Sequence, residues 1–195
     1  LANPYGITCS GCGFINTDRV TLTTGLPFMR ADGSLGGFNV SQGDILVTGA
    51  GLNATAQQVL DLVTRSLRLE GNVNAQDFGV FAGTNRWDYG TRAVAGSADA
   101  KGPAPVYAID SSALGGMYAN RIKLVATEAG VGVRMRGDAA ASAEDFMLSS
   151  AGGVEMRGRI SAQRDVLVAS TSNDAAAGAL VEGRLTAGSR IGVTT

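Results

Sequence analysis

Glycine recurs along this chain ahead of the same short apolar pair, and from residue 116 onward its spacing is close to 21 residues. The segments begin at Gly13, Gly71, Gly116, Gly137, Gly158 and Gly183. Their pairs, each spaced by two, are Val20/Leu22, Phe78/Val80, Ile122/Leu124, Phe146/Leu148, Val166/Val168 and Ile191/Val193. Residues i and i+2 of a strand share a face, so each pair points one way. One segment cannot bury its pair alone. Equal segments stacked about 4.8 Å apart form a continuous core with every backbone group paired. The pattern predicts an all-β chain, a β-solenoid. The steps from 116 to 137 and from 137 to 158 are each 21 residues. The step from 158 to 183 is 25, and the excess reads as a loop at Ser172-Asn173-Asp174-Ala175-Ala176-Ala177. With about 21 residues per coil, the chain would make roughly nine coils in a rod of about 40 Å.

The composition agrees with a narrow, filled tube. Hydrophobic residues make up 45% and aromatic residues only 6%, so inward positions fall to Val, Ile, Leu and Ala. The net charge of −1 gives no electrostatic footprint for nucleic acid or an anionic membrane. There is no His, which removes the commonest general base and metal ligand and every Ser–His or Cys–His nucleophile. No window approaches the length of a transmembrane segment. The start at Leu1-Ala2-Asn3-Pro4 reads as the interior of a longer protein.

Two stretches break the period. Residues 26–39 hold Pro27, Asp32-Gly33 and Gly36-Gly37, a hairpin-like turn set. Residues 83–108 carry the only Trp, Trp87, with Tyr89 and the turn Pro103-Ala104-Pro105. Both read as excursions from the coil. Trp87 and Tyr89 either pack on the outer side of the tube or offer a surface contact to a ligand.

Several motifs resemble chemistry and lack its requirements. Cys9-Ser10-Gly11-Cys12 holds both cysteines of the chain. A zinc site wants about four ligands, and a redox pair wants a helix N-terminus; Gly13-Phe14-Ile15-Asn16 does not look like a helix start. The reading kept is a small disulfide between Cys9 and Cys12 in an oxidising compartment. Gly49-Ala50-Gly51 after Ile45-Leu46-Val47, with Glu70 downstream, imitates a nucleotide fingerprint. Thr55 to Leu62 offers two turns of helix, but Ala54 stands one residue short of the third glycine position, and no further βαβ unit follows. A turn of a coil is the better reading. Asp138 and Glu144-Asp145 are spaced as turn residues, with no acidic stripe at the coil spacing. Arg134 and Arg136 read as a solvated face. No cofactor and no metal are expected.

Several separated stretches resemble one family in order. Asn3-Pro4-Tyr5-Gly6-Ile7 followed by Cys9 and Cys12 resembles the NPNGI and CxxC region of two-partner secretion domains. So do residues 19–25 (Arg19-Val20-Thr21-Leu22-Thr23-Thr24-Gly25), residues 108–119 (Ala108 to Ala119) and Gly130-Val131-Gly132-Val133. The set is similar to the filamentous haemagglutinin family, and more particularly to its contact-dependent growth-inhibition toxins. The resemblance implies a right-handed parallel β-helix. It implies that residues 1–137 are the C-terminal half of a secretion domain and residues 138–195 the first filament repeats. It also implies an outer-membrane transporter partner with periplasmic recognition modules, passage through the periplasm, and a final place at the bacterial cell surface. Asn3, Pro4, Tyr5, Gly6 and Ile7 occupy the family's second secretion motif, where Tyr5 replaces the usual Asn and Pro4 and Gly6 still supply turn geometry.

The function expected is non-catalytic: a secretion and filament segment of a large adhesin or growth-inhibition toxin. Its parent's contacts with a receptor or glycan would lie elsewhere. One rival is an adhesin module binding glycan or receptor through residues 83–108. Another is a β-helix polysaccharide-cleaving enzyme. Because the family's earlier motif and capping strands are not seen, an isolated fragment with open strand edges is expected to self-associate.

Overall fold

In the computed structural model, which describes residues 1–172, 174 and 177–195, the chain is a parallel β-helix with three faces. The first face stacks β1 (Ile7–Gly13), the opening of β5 (Asp44–Thr64), β6 (Ser66–Leu69), β10 (Tyr107–Ser111), β13 (Gly132–Met135), β16 (Val154–Met156) and β19 (Ala179–Val181). The second stacks the end of β1, the middle of β5, the opening of β7 (Val73–Ala82), β11 (Met117–Ala119), β14 (Ala139–Ala141), β17 (Arg159–Ala162) and β20 (Arg184–Ala187). The third stacks β2 (Arg19–Thr23), the ends of β5 and β7, β12 (Arg121–Ala126), β15 (Phe146–Ser150), β18 (Asp165–Ser170) and β21 (Arg190–Thr194).

The apolar pairs of the repeat all lie on the third face. Val20, Leu60, Phe78, Ile122, Phe146, Val166 and Ile191 stand in register, one per coil. These rungs number seven among the described residues, not nine, because the two excursions absorb the remaining length. At about 4.8 Å per rung the stack is about 29 Å long. The rung missed in the sequence is Leu60/Leu62. It lies inside β5, which runs through all three faces with a register shift between Ala54 and Val59. Thr55 to Leu62 is therefore strand and corner rather than helix, and Asn53 Oδ1 accepts bonds from the Thr55 N–H and hydroxyl there. Burial of each Val, Leu or Ile contributes about 1.5–3 kcal/mol. Alanine fills the narrow end of the second face at Ala54, Ala75, Ala119, Ala141 and Ala162, all buried.

The glycine period has a steric cause at the corner between the first and second faces. A Cβ on Gly158 would stand 2.0 Å from the carbonyl oxygen of Gly137, and one on Gly183 would stand 2.1 Å from that of Gly158. A Cβ on Gly137 would likewise stand 2.2 Å from the oxygen of Gly115, so the stack passes through Gly115 rather than Gly116. The 172–177 loop assignment falls partly on Asn173, Ala175 and Ala176, which lie outside the described residues.

On the outside of the first face, Arg68, Asp110, Arg134 and Glu155 stand in register with alternating sign. Opposite charges on adjacent strands favour that register. Arg134 is therefore not simply solvated: its Nε and Nη2 donate to Asp110 at 2.9 and 2.8 Å, and its guanidinium lies 4.3 Å from the Tyr107 ring centre. Arg136 is exposed.

The two excursions form one antiparallel sheet: β3 (Leu26–Met29), β4 (Leu35–Val40), β8 (Asn85–Asp88) and β9 (Ala93–Gly96). β3 and β4 are the expected hairpin, turning at Asp32-Gly33. Gly36 and Gly37 do not turn; they lie inside β4. A Cβ on Gly37 would stand 1.9 Å from the Trp87 carbonyl oxygen, so glycine is what lets β4 approach β8. This side sheet packs on the third face through Phe38, Val40 and Trp87 against Val63 and Phe81 of the helix, with Val125 beside them.

Candidate functional site

The Asn3–Ile7 motif is a turn fastened to the first coil. Asn3 Oδ1 accepts from Tyr5 N at 3.2 Å, and Asn3 O accepts from Gly6 N at 3.2 Å. Gly6 has φ +124°, a conformation that favours glycine. The backbone is tied at both ends. Asn3 N donates to Thr23 O at 2.9 Å, and Ile7 pairs with Ile45 at the start of the first face. Gln42 Nε2 donates to Pro4 O at 3.3 Å. What remains outside is the Tyr5 ring, 86% exposed. It stands at a cleft of about 130 Å³ shared with Pro4, Thr24, Leu26, Gln42 and Lys101, so the motif borders the roots of both excursions.

Cys9 and Cys12 form a disulfide. Cys9 is buried and pairs with Val47, while Cys12 pairs with Leu52. The bridge thus closes the first coil's corner. The second coil makes the same corner with Gly49 and Gly51, both at positive φ, so the GxG is the coil turn expected of it.

Trp87 is fully buried, with its ring centre 5.5 Å from Phe81 and 6.2 Å from Phe38. Tyr89 is half-buried and meets Trp87 edge-on at 6.1 Å. The packing alternative describes these rings. A surface contact through Trp87 does not, because the side sheet itself covers the indole.

Beneath this sheet lies a charged cluster that the sequence reading missed. Asp61 has a fully buried side chain. Arg92 donates from Nε to both its oxygens at 3.1 Å and from Nη2 to Oδ1 at 2.9 Å. The same guanidinium donates from Nη1 to Asp77 Oδ2 at 2.7 Å, and Arg121 also binds Asp77. Arg19 reaches Asp61 at 3.4 Å, donates to Tyr89 O at 2.8 Å and lies 3.8 Å from the Tyr89 ring centre. Burial pushes the Asp61 carboxyl up, partly offset by Arg92 and Arg19. At Asp77 burial also acts upward, but the hydrogen bonds from Arg92 and Arg121 outweigh it and hold the carboxyl low. The available signal was a lone carboxylate in the run Val59-Leu60-Asp61-Leu62-Val63. A buried charge of that kind needs a partner. These groups pair with one another. Among the described residues no three His, Cys, Asp or Glu side chains are grouped to hold a metal ion, and no helix is long and apolar enough to cross a membrane.

With this geometry in view, comparison with known proteins is specific. The family model described as the TPS secretion domain matches residues 1–156. The 16S rRNA endonuclease CdiA of Enterobacter cloacae subsp. cloacae is 48% identical over 160 residues, which are 80% of this chain and 5% of that protein. The tRNA nuclease CdiA-2 of Burkholderia pseudomallei is 48% identical over 162 residues, 83% of this chain and again 5% of the relative. The crystal structure of the filamentous hemagglutinin secretion domain superposes with a TM-score of 0.87 at 32% identity, covering 100% of this chain and 65% of that one. The chain thus spans about one-twentieth of the length of the nuclease relatives.

Proposed function

From the premise that the chain belongs to the TPS secretion domain family, we propose that its first coil is the part a partner transporter handles. The chain is a secretion segment like those of CdiA and filamentous hemagglutinin, large proteins exported through the periplasm to the cell surface. The proposed partner is an outer-membrane transporter whose periplasmic modules touch Asn3, Pro4, Tyr5, Gly6 and Ile7. The observation that carries this reading is the turn's division of labour. Its backbone is committed to the coil through Asn3, Pro4 and Ile7, while the Tyr5 ring is left 86% exposed.

The segment itself is proposed to be non-catalytic. The nuclease activities in the relatives' names would then belong to stretches that this chain does not match. Any receptor or glycan contact of the parent is likewise proposed to lie elsewhere, since the 83–108 excursion spends its indole on packing. We also propose that residues 1–137 belong to the secretion domain and residues 138–195 are the first filament repeats, a division supported by the regular glycine spacing from Gly137 onward.

Removal of Asn3–Cys12 from the full-length parent, in cells carrying its cognate transporter, should block export. Tyr5→Ala should reduce export while leaving the fold intact. Unchanged export in both variants would contradict the assignment to this turn.

A further inference from the structure

Most partners of the early coils' buried charges come from later in the chain, although Asp61 is also reached by Arg19 of the first coil. Asp61 and Asp77 lie on β5 and β7, and their shared partner Arg92 comes from the second excursion. Asp77 is completed by Arg121, at the start of the following coil. Arg65 follows the same rule. Its side chain is 6% exposed, and its Nε and Nη2 donate to Glu128 at 3.1 and 2.8 Å. Arg65 Nη1 also donates to the carbonyl oxygens of Lys101 at 2.7 Å and Gly102 at 3.4 Å, which ties down the exit of the excursion.

Arg92 arrives with the side sheet itself and meets Asp61, which Arg19 also reaches. Until Arg121 and Glu128 are in place, however, docking would leave Arg65 and Asp77 without full compensation, which is unfavourable. Arg92 itself sits at φ +53°, a conformation costly for a side-chain-bearing residue, so its place depends on the two carboxylates it joins. The apolar contacts have the same order: Trp87 and Phe81 are flanked by Val125, from the coil that also carries Arg121 and Glu128. Among the described residues, the ion pairs of the later coils reach no farther than neighbouring coils. Arg159–Asp138 and Arg190–Asp165 are exposed pairs between adjacent coils, worth little each.

We infer that the side sheet is a strap that closes only when the coil carrying Arg121 and Glu128 is in place. Residues 1–128 then form one cooperative folding unit, and the later coils add to it singly. Pulse-labelling hydrogen exchange during refolding of the whole chain tests this without any variant. Amides of residues 35–40 and 85–88 should gain protection together with, or after, those of 121–126. Protection of the side sheet about tenfold sooner than 121–126 would overturn the inference. In the folded chain, Glu128→Gln should raise exchange of the side-sheet amides by about tenfold or more and leave residues 146–170 unchanged. Side-sheet exchange within about twofold of the parent chain, or an equal rise along all coils, would also overturn it.

Discussion

Gly158 lies directly over Gly137, one coil away, with its missing Cβ position 2.0 Å from the Gly137 carbonyl oxygen. The 21-residue period is therefore a record of backbone approach at one corner, more than of turn flexibility. Gly158→Ala must push the two coils apart or break their hydrogen bonds. Overpacking of this kind costs about 1–3 kcal/mol, and the rigid backbone neighbour places this case at the upper end. A urea denaturation midpoint equal to that of the parent chain would contradict this reading.

The disulfide should matter little for global stability. It spans only three positions, and for so small a loop the chain-entropy contribution is at most about 2 kcal/mol. Cys9→Ser/Cys12→Ser should show its effect as faster amide exchange confined to the first coil, residues 7–23. Loss of folding throughout would show that the bridge does more than close one corner.

Trp87 is the only tryptophan, so its fluorescence reports on the side sheet alone. The native emission should be blue-shifted and should move to the red when the sheet undocks. Trp87→Ala should cost about 3–5 kcal/mol by leaving a cavity against Phe81 and Phe38. A native emission resembling free tryptophan would contradict the buried placement.

Acid should loosen the turn at the edge of that sheet. Backbone and hydroxyl donors of Thr91, then Arg30, hold the Asp88 carboxyl at about 2, below its ordinary 3.8. A carboxyl lowered on folding contributes stability that is complete above its unfolded value and is lost as pH falls through its folded value. Exchange of residues 88–92 should rise between pH 4 and pH 2, and Asp88→Asn should flatten that rise. An unchanged profile in the variant would assign the acid response to another group.

Much of the helix was legible in the chain because stacking imposes one period on inward residues. Val20, Phe78, Ile122, Phe146, Val166 and Ile191 revealed the third face, and the CxxC suggested a bridge. Leu60 escaped because its coil is one long strand whose corner glycines are displaced to 49 and 51. The pairing of Phe38 with Trp87 escaped for a different reason: two short runs far apart in sequence carry no local sign of which edge each will join. The same holds for Arg92, whose carboxylate partners lie on coils that precede it. At the Asn3–Ile7 turn the sequence pointed to the geometry, whereas the isolation of the Tyr5 ring could be seen only in the folded coil.

The most direct measurement of the central claim is surface display of the parent protein with residues 1–156 removed in frame, in cells that express its transporter. The account predicts that the truncated parent accumulates in the periplasm and is absent from the surface, while the intact parent is displayed. Equal display of both would contradict it.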